Sequence, residues 1–178
     1  MSATTIRQDE SAPAAYPDAP AGLSTAAAAL ADTVWQRIEA YTAHRWSERA
    51  VVWTVEGCGA WQPPLTPATI TTVEIWRADA WETVTLSPSP MGGYCLPGGT
   101  YRFTGTAGGG AVPPAVQEAF RRLAEYLAAD RGTPGATSER VEIDGVMTKE
   151  TSRAATWMAR AMANSGAGDL LRPYRRVA

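Results

Sequence analysis

The apolar positions change their spacing several times along the chain. From Ser24 or Thr25 to about residue 46 they recur at helical intervals, with Leu30, Val34, Ile38 and Tyr41 on one stripe and Asp32, Arg37 and Glu39 mainly elsewhere. Ser24 and Thr25 are both able to cap the free N–H groups at a helix start. Between residues 51 and 106 the texture becomes short runs of β-branched and aromatic residues, at 51–55, 69–77, 81–86 and 101–104. Gly and Pro separate these runs, and the link Ala78-Asp79-Ala80 is short enough for a hairpin. Residues 87–99 carry Pro88, Pro90, Gly92, Gly93, Pro97, Gly98 and Gly99, which predict turns and loop. A second helical stripe, Val116, Phe120, Leu123 and Leu127, spans about 115–130. Pro113 and Pro114 stand at its entrance, where a missing N–H is harmless, and Gly132, Pro134 and Gly135 end it. Residues 133–147 read as irregular, with a short extended piece at 141–143. Thr148 can cap a third helix running to about Asn164, its face formed by Trp157, Met158, Ala161 and Met162.

These elements predict an α+β fold that is mainly helical: long helices around a small antiparallel β-sheet, with a C-terminal helix and an extended tail. Three segments follow. Residues 1–22, rich in Ala, Pro, Ser and Thr, read as a flexible arm; 23–132 as the core; and 133–178 as a loop, helix and tail.

Composition narrows the function. The 178 residues suffice for one domain with a real core, and seven Trp is high for that size, as interface proteins often show. A formal charge of −2 argues against a protein dominated by phosphate contacts. No stretch approaches the ~18 apolar residues needed to span a bilayer, and residues 1–20 lack the apolar region of a signal peptide. The expectation is a protein made and used in the cytoplasm, or in a particle assembled there. Cys58 and Cys95 have no metal-ligand spacing around them and read as reduced thiols, with a disulfide as the alternative.

Catalytic chemistry has little to work with. His44 is the single histidine and sits near a predicted helix end, where a positive charge suits the dipole. One His and two scattered Cys make no zinc site, and no EF-hand pattern is present. The Gly-rich run 105–110 lacks the Lys-Ser/Thr pair of a phosphate loop and leads into prolines, so it reads as a hinge. Glu74, Glu82, Glu139 and Glu142 have no spacing that singles out an acid–base pair. The expectation is no catalytic residue, no metal, no cofactor and no enzyme.

The C-terminal region differs. The Trp157, Met158 and Met162 face suits either core or docking. The segment Leu170-Leu171-Arg172-Pro173-Tyr174-Arg175-Arg176 reads as a docking peptide, since Arg and Tyr are enriched among residues that carry binding energy and Pro173 favours an extended backbone.

Four segments together resemble the head–tail connector (adaptor) family of long-tailed phages and gene transfer agents. They are the helix ending in Trp35-Gln-Arg-Ile38-Glu-Ala-Tyr41-Thr-Ala-His-Arg45-Trp46, the hairpin Trp76-Arg-Ala-Asp79-Ala-Trp81, the passage from Tyr101-Arg-Phe103-Thr-Gly105 into Val112-Pro113-Pro114-Ala115, and the terminal Leu170–Arg176 run. The resemblance implies a ring of about twelve copies on a portal protein, closed by a heterologous interface. Such a ring would join the portal to a tail-side stopper and extend the channel for double-stranded DNA, at the head–tail junction of a virion or phage-like particle. It further implies that Trp157, Met158, Met162 and residues 170–176 grip the portal. The alternative is a small nucleic-acid-binding module using sheet aromatics and Arg172, Arg175 and Arg176.

Overall fold

The computed structural model describes residues 2–129, 138–143, 147–152 and 158–176. Its elements in order are β1 (Thr4–Glu10), α1 (Thr25–Ala28), α2 (Ala31–Thr42), β2 (Arg49–Glu56), β3 (Gly59–Trp61), β4 (Ala68–Arg77), β5 (Ala80–Thr83), β6 (Tyr94–Leu96), β7 (Thr100–Ala107), α3 (Pro114–Ala128), β8 (Ser138–Ile143), β9 (Met147–Ser152), α4 (Ala161–Asn164) and α5 (Ala167–Leu171), with a 3-10 turn at Arg172–Tyr174. More residues lie in strands than in helices, so the fold is α+β but not mainly helical. The expected C-terminal helix and extended tail are also corrected. Residues 148–152 belong to β9, whose β-branched Thr148 and Thr151 suit a strand, and the chain ends in two short helices and a 3-10 turn.

The chain divides into two compact units. The sheet unit comprises Met1–Pro17, Glu39–Val112 and Arg175–Ala178, and the helical unit Asp18–Ile38 and Pro113–Tyr174.

An antiparallel five-stranded sheet in the order β1-β2-β7-β4-β5 builds the sheet unit. Strand β7 alternates strictly between buried and half-buried residues, and Trp53 of β2 and Val73 of β4 both pair with its Phe103. Val51, Trp53, Val55, Ile75, Tyr101 and Phe103 therefore share the inner face, as a period of two requires. Trp61, Leu65 and Leu96 cover them, with the Trp61 ring stacked on Phe103 at 4.2 Å between centroids. Gly105 faces Ile70, and a Cβ there would run into the Thr69 carbonyl, so the close approach of β4 and β7 at the adjoining bulge needs glycine.

Strand β1 lies inside the stretch read as a loose arm. Two indoles fasten it: Trp61 Nε1 donates to Thr5 Oγ1 at 2.9 Å and Trp53 Nε1 to Gln8 Oε1 at 2.9 Å. Its two half-buried residues, Thr5 and Glu10, are polar, so no apolar alternation marks it as a strand.

The β4–β5 hairpin closes as expected, with Trp76 opposite Trp81 and Arg77 opposite Ala80. Its two central residues, Ala78 and Asp79, both have left-handed φ (44° and 62°), as a right-twisted two-residue turn demands. Ala at such a position carries strain of about 1 kcal/mol. Ala78→Asn is therefore expected to raise the unfolding free energy by up to about 1 kcal/mol, read by urea denaturation.

In the helical unit, the stripe Val116, Ala119, Phe120, Leu123 and Ala124 of α3 is buried, and the Phe120 ring meets Trp35 at 4.9 Å. Ser24 caps α1 by accepting from the Ala27 N–H, and Glu125 accepts from both the Ser24 N–H and its hydroxyl. The first predicted helix is in fact two, α1 and α2, and it stops at Thr42 because Ala43 turns left-handed (φ 56°). Among the described residues no helix is long and apolar enough to cross a membrane.

Candidate interface

The sequence-predicted docking residues fall in different settings. Trp157 lies outside the described residues. Met158 is 47% exposed, Met162 and Leu170 are half-buried, and Arg172 and Pro173 are exposed. Arg172 reaches Asp169 at 3.3 Å, and Tyr174 is half-buried. Leu171 is fully buried with Ala167, where α5 packs against α3. It is therefore a core residue of the helical unit, because a five-residue helix needs an apolar anchor to stay folded.

Arg175 and Arg176 belong to the sheet unit and are engaged there. The Arg175 guanidinium sits 5.3 Å from the Tyr41 ring centroid. The Arg176 N–H donates to the Thr42 carbonyl at 3.1 Å, and its guanidinium donates to Gln62 Oε1 at 2.7 Å and to the Pro63 carbonyl. Arg176 thereby satisfies a carbonyl at the open end of α2.

A second surface sits on the outer face of the sheet. Glu74 accepts two bonds from Arg102, at 2.7 and 2.9 Å, across β4 and β7. The Arg102 guanidinium lies 4.5 Å from the Trp81 ring, and Trp81 meets Trp76 edge-to-face at 5.2 Å. The hydrogen bonds from Arg102, then its charge, hold Glu74 below the usual carboxylate range despite opposing burial. Trp76 is 44% exposed at the open end of this ladder. Each member fixes the next, so the tryptophan is presented with little side-chain entropy left to lose. The signal in the sequence was two Trp flanking a two-residue turn, which makes them a cross-strand pair.

At the opposite edge, beside β1, a groove of about 730 Å3 opens. Trp61 and Leu65 form its apolar wall, with Ala3 and Ala60, and Arg45, paired with Glu10, and Arg176 also line it. Its lining comes from several separated segments, so no local sequence pattern could have announced it.

Below the groove lies a buried ionic network. Glu39, 2% exposed, accepts two bonds from Arg49 Nη2 and one from the Trp46 N–H. Arg49 also reaches Glu10 at 3.1 Å, and Arg45 binds Glu10 through two nitrogens, at 2.6 and 3.0 Å. Burial alone would raise the Glu10 pKa, but the hydrogen bonds and charges of Arg45 and Arg49 together hold it below the ordinary value. His44 is no helix-end cation. Burial, then the neighbouring Arg45, pushes its pKa down, and its ring sits against Trp46 at 4.5 Å. Arg45 serves the helix end instead, donating to the Glu39 carbonyl at 2.8 Å.

Among the described residues no group of three or more His, Cys, Asp or Glu could hold a metal ion. Cys58 and Cys95 are not joined in a disulfide. Of the strand aromatics, Trp53, Trp61, Tyr101 and Phe103 are buried, Tyr94 and Trp81 are half-buried, and Trp76 is exposed.

The chain shares its fold with a neck protein. That protein comes from a structure described as the neck of an empty gene transfer agent (GTA) particle computed with C6 symmetry; it matches at TM-score 0.56 and 20% identity over 97% of each chain. A chain from the neck of a native GTA particle computed with C12 symmetry is similar at TM-score 0.49 and 18% identity, covering 88% of this chain and 85% of that one. A chain from the virion of a native gene transfer agent particle is similar at TM-score 0.49 and 17% identity, covering 100% of this chain and 97% of that one. No protein-family model and no curated protein matches the chain.

Proposed function

We propose that this chain is a structural, non-enzymatic head–tail connector (adaptor) subunit in the neck of a gene transfer agent or phage-like particle. The observation that carries the reading is the shared fold with a GTA neck protein over nearly the full length of both chains. Copies form a ring seated on the portal protein, join it to the tail-side stopper and extend the channel through which double-stranded DNA passes. The net charge of −2 suits a channel that lets DNA slide without holding it. In this reading Met158, Met162, Leu170, Arg172, Pro173 and Tyr174, with Trp157, contact the portal.

The test is affinity purification of tagged protein from cells making particles, with electron microscopy of what co-purifies. Rings or particles labelled at the head–tail junction are expected; a lone monomer from such cells would refute the reading. Truncating residues 169–178 is a poor probe of docking, because it removes the buried Leu171. Arg172→Glu is cleaner, since that side chain is 79% exposed. It is expected to weaken capture by isolated portal rings about tenfold while the melting temperature stays unchanged. Unchanged capture would remove Arg172 from the contact.

A further inference from the structure

We infer that adjacent subunits join head to tail, with the β4–β5 hairpin of one copy, led by Trp76 and Asp79, entering the groove beside β1 of the next copy. This inference rests on the connector reading and names the surfaces that close its ring.

A ring with cyclic symmetry needs two different, complementary patches on every subunit, placed so that each copy offers one and receives the other. The sheet supplies that placement. Strands β1 and β5 are its two edges, and four steps of about 4.8 Å set them about 19 Å apart. The protruding patch lies at the β5 edge and the recessed one at the β1 edge.

The patches carry complementary groups. Trp76 stands exposed on a ladder that fixes its neighbour Trp81, as an anchor for a pocket should. The groove has an apolar wall of Trp61 and Leu65, widened by Ala3 and Ala60. On the hairpin the exposed acids Asp79 and Glu82 outweigh Arg77, and Asp79 has no ion-pair partner among the described residues. In the groove Arg45 is neutralised by Glu10, whereas among the described residues the guanidinium of Arg176 meets the neutral oxygens of Gln62 and Pro63. Arg176 has no carboxylate partner among the described residues, and Asp79 at the hairpin tip of the next copy can supply one.

A mixing experiment on isolated portal rings decides the matter. Trp76→Ala disables the knob and leaves the groove; Ala60→Arg blocks the groove and leaves the knob. Both positions are exposed, so both variants should fold, with Trp76→Ala melting slightly lower because it loses the edge contact to Trp81. Each variant alone is expected to give crosslinked multimers at a yield reduced about 30-fold from the wild type. Mixed together, they should give a crosslinked one-to-one dimer that grows no further, because one good knob meets one good groove. The charge pair offers a second check: Asp79→Arg and Arg176→Asp should each impair ring formation and restore it when combined. Full rings from either Trp76→Ala or Ala60→Arg, or only monomers from the mixture, would overturn the assignment. Failure of the wild type itself to assemble on the portal would instead refute the connector reading.

Discussion

Arg49→Leu is expected to destabilise the sheet unit by about 3–5 kcal/mol, because it strands the carboxylate of Glu39 in the interior. Glu39 and Arg49 side chains are 3% and 5% exposed, and the two are joined by two hydrogen bonds. Taking either partner away leaves a desolvated charge with only the Trp46 N–H to answer it on the Glu39 side. A loss of that size is a large fraction of the 5–15 kcal/mol typical of a folded domain. The double variant Glu39→Met with Arg49→Leu removes both charges and should cost clearly less than Arg49→Leu alone. Glu10 keeps its two bonds to Arg45 in that background. Urea denaturation of the two single variants and the double measures the coupling. A double variant as unstable as the sum of the singles would mean that the pair does not act as a unit.

The same network makes stability depend on acid. The folded-state pKa of Glu10 lies below its ordinary value of 4.5, so the folded state binds that proton less readily than the unfolded chain. Its contribution is fully present above about pH 4.5 and is lost as pH falls through the folded-state value. His44 acts in the same direction at milder acidity, since its pKa is lowered from 6.5 and the unfolded chain takes up its proton first. The melting temperature should therefore fall in two stages on acidification, starting below about pH 6.5. His44→Gln should remove the first stage and leave the second.

How much of this was legible in the sequence depends on which physical signal each element carries. Helix α3 was legible because Val116, Phe120 and Leu123 keep one face and the entering prolines mark its start. Strands β2, β4 and β7 were legible from their β-branched and aromatic runs, and the hairpin from its two-residue turn. Strand β1 was not, because Thr5 and Gln8 are hydrogen-bond acceptors for indoles more than 40 residues away. Glu39 read as lying off the apolar stripe, since a buried carboxylate is intelligible only once its arginine is seen beside it. The start of the third helix was misplaced because β9 carries local strand preference that a capping residue at Thr148 does not outweigh, while its end survives as α4. Of the docking segment, Arg172 and Pro173 are exposed, Leu171 is buried against α3, and Arg176 binds Gln62 and Pro63 of the sheet unit, settings that residue type alone does not distinguish.

Trp61→Ala is expected to cost about 3–5 kcal/mol, the usual range for deleting a large buried aromatic. The residue is 5% exposed and joins three parts of the sheet unit. Its ring stacks on Phe103 of β7 and lies 6.5 Å from Tyr94 of β6, while its N–H holds Thr5 of β1. Trp61→Phe separates these roles. It keeps most of the stacking surface and loses the hydrogen bond, a change of about 0.5–1.5 kcal/mol. Amide hydrogen exchange distinguishes the two: Trp61→Phe should speed exchange across Thr4–Glu10 while β2 and β7 stay protected, because only the fastening of the edge strand is cut. Trp61→Ala should raise exchange throughout the sheet and also collapse the wall of the groove beside β1. If both variants left exchange in β1 unchanged, the main-chain pairing with β2 would suffice to hold that edge, and the two indole bonds would be incidental.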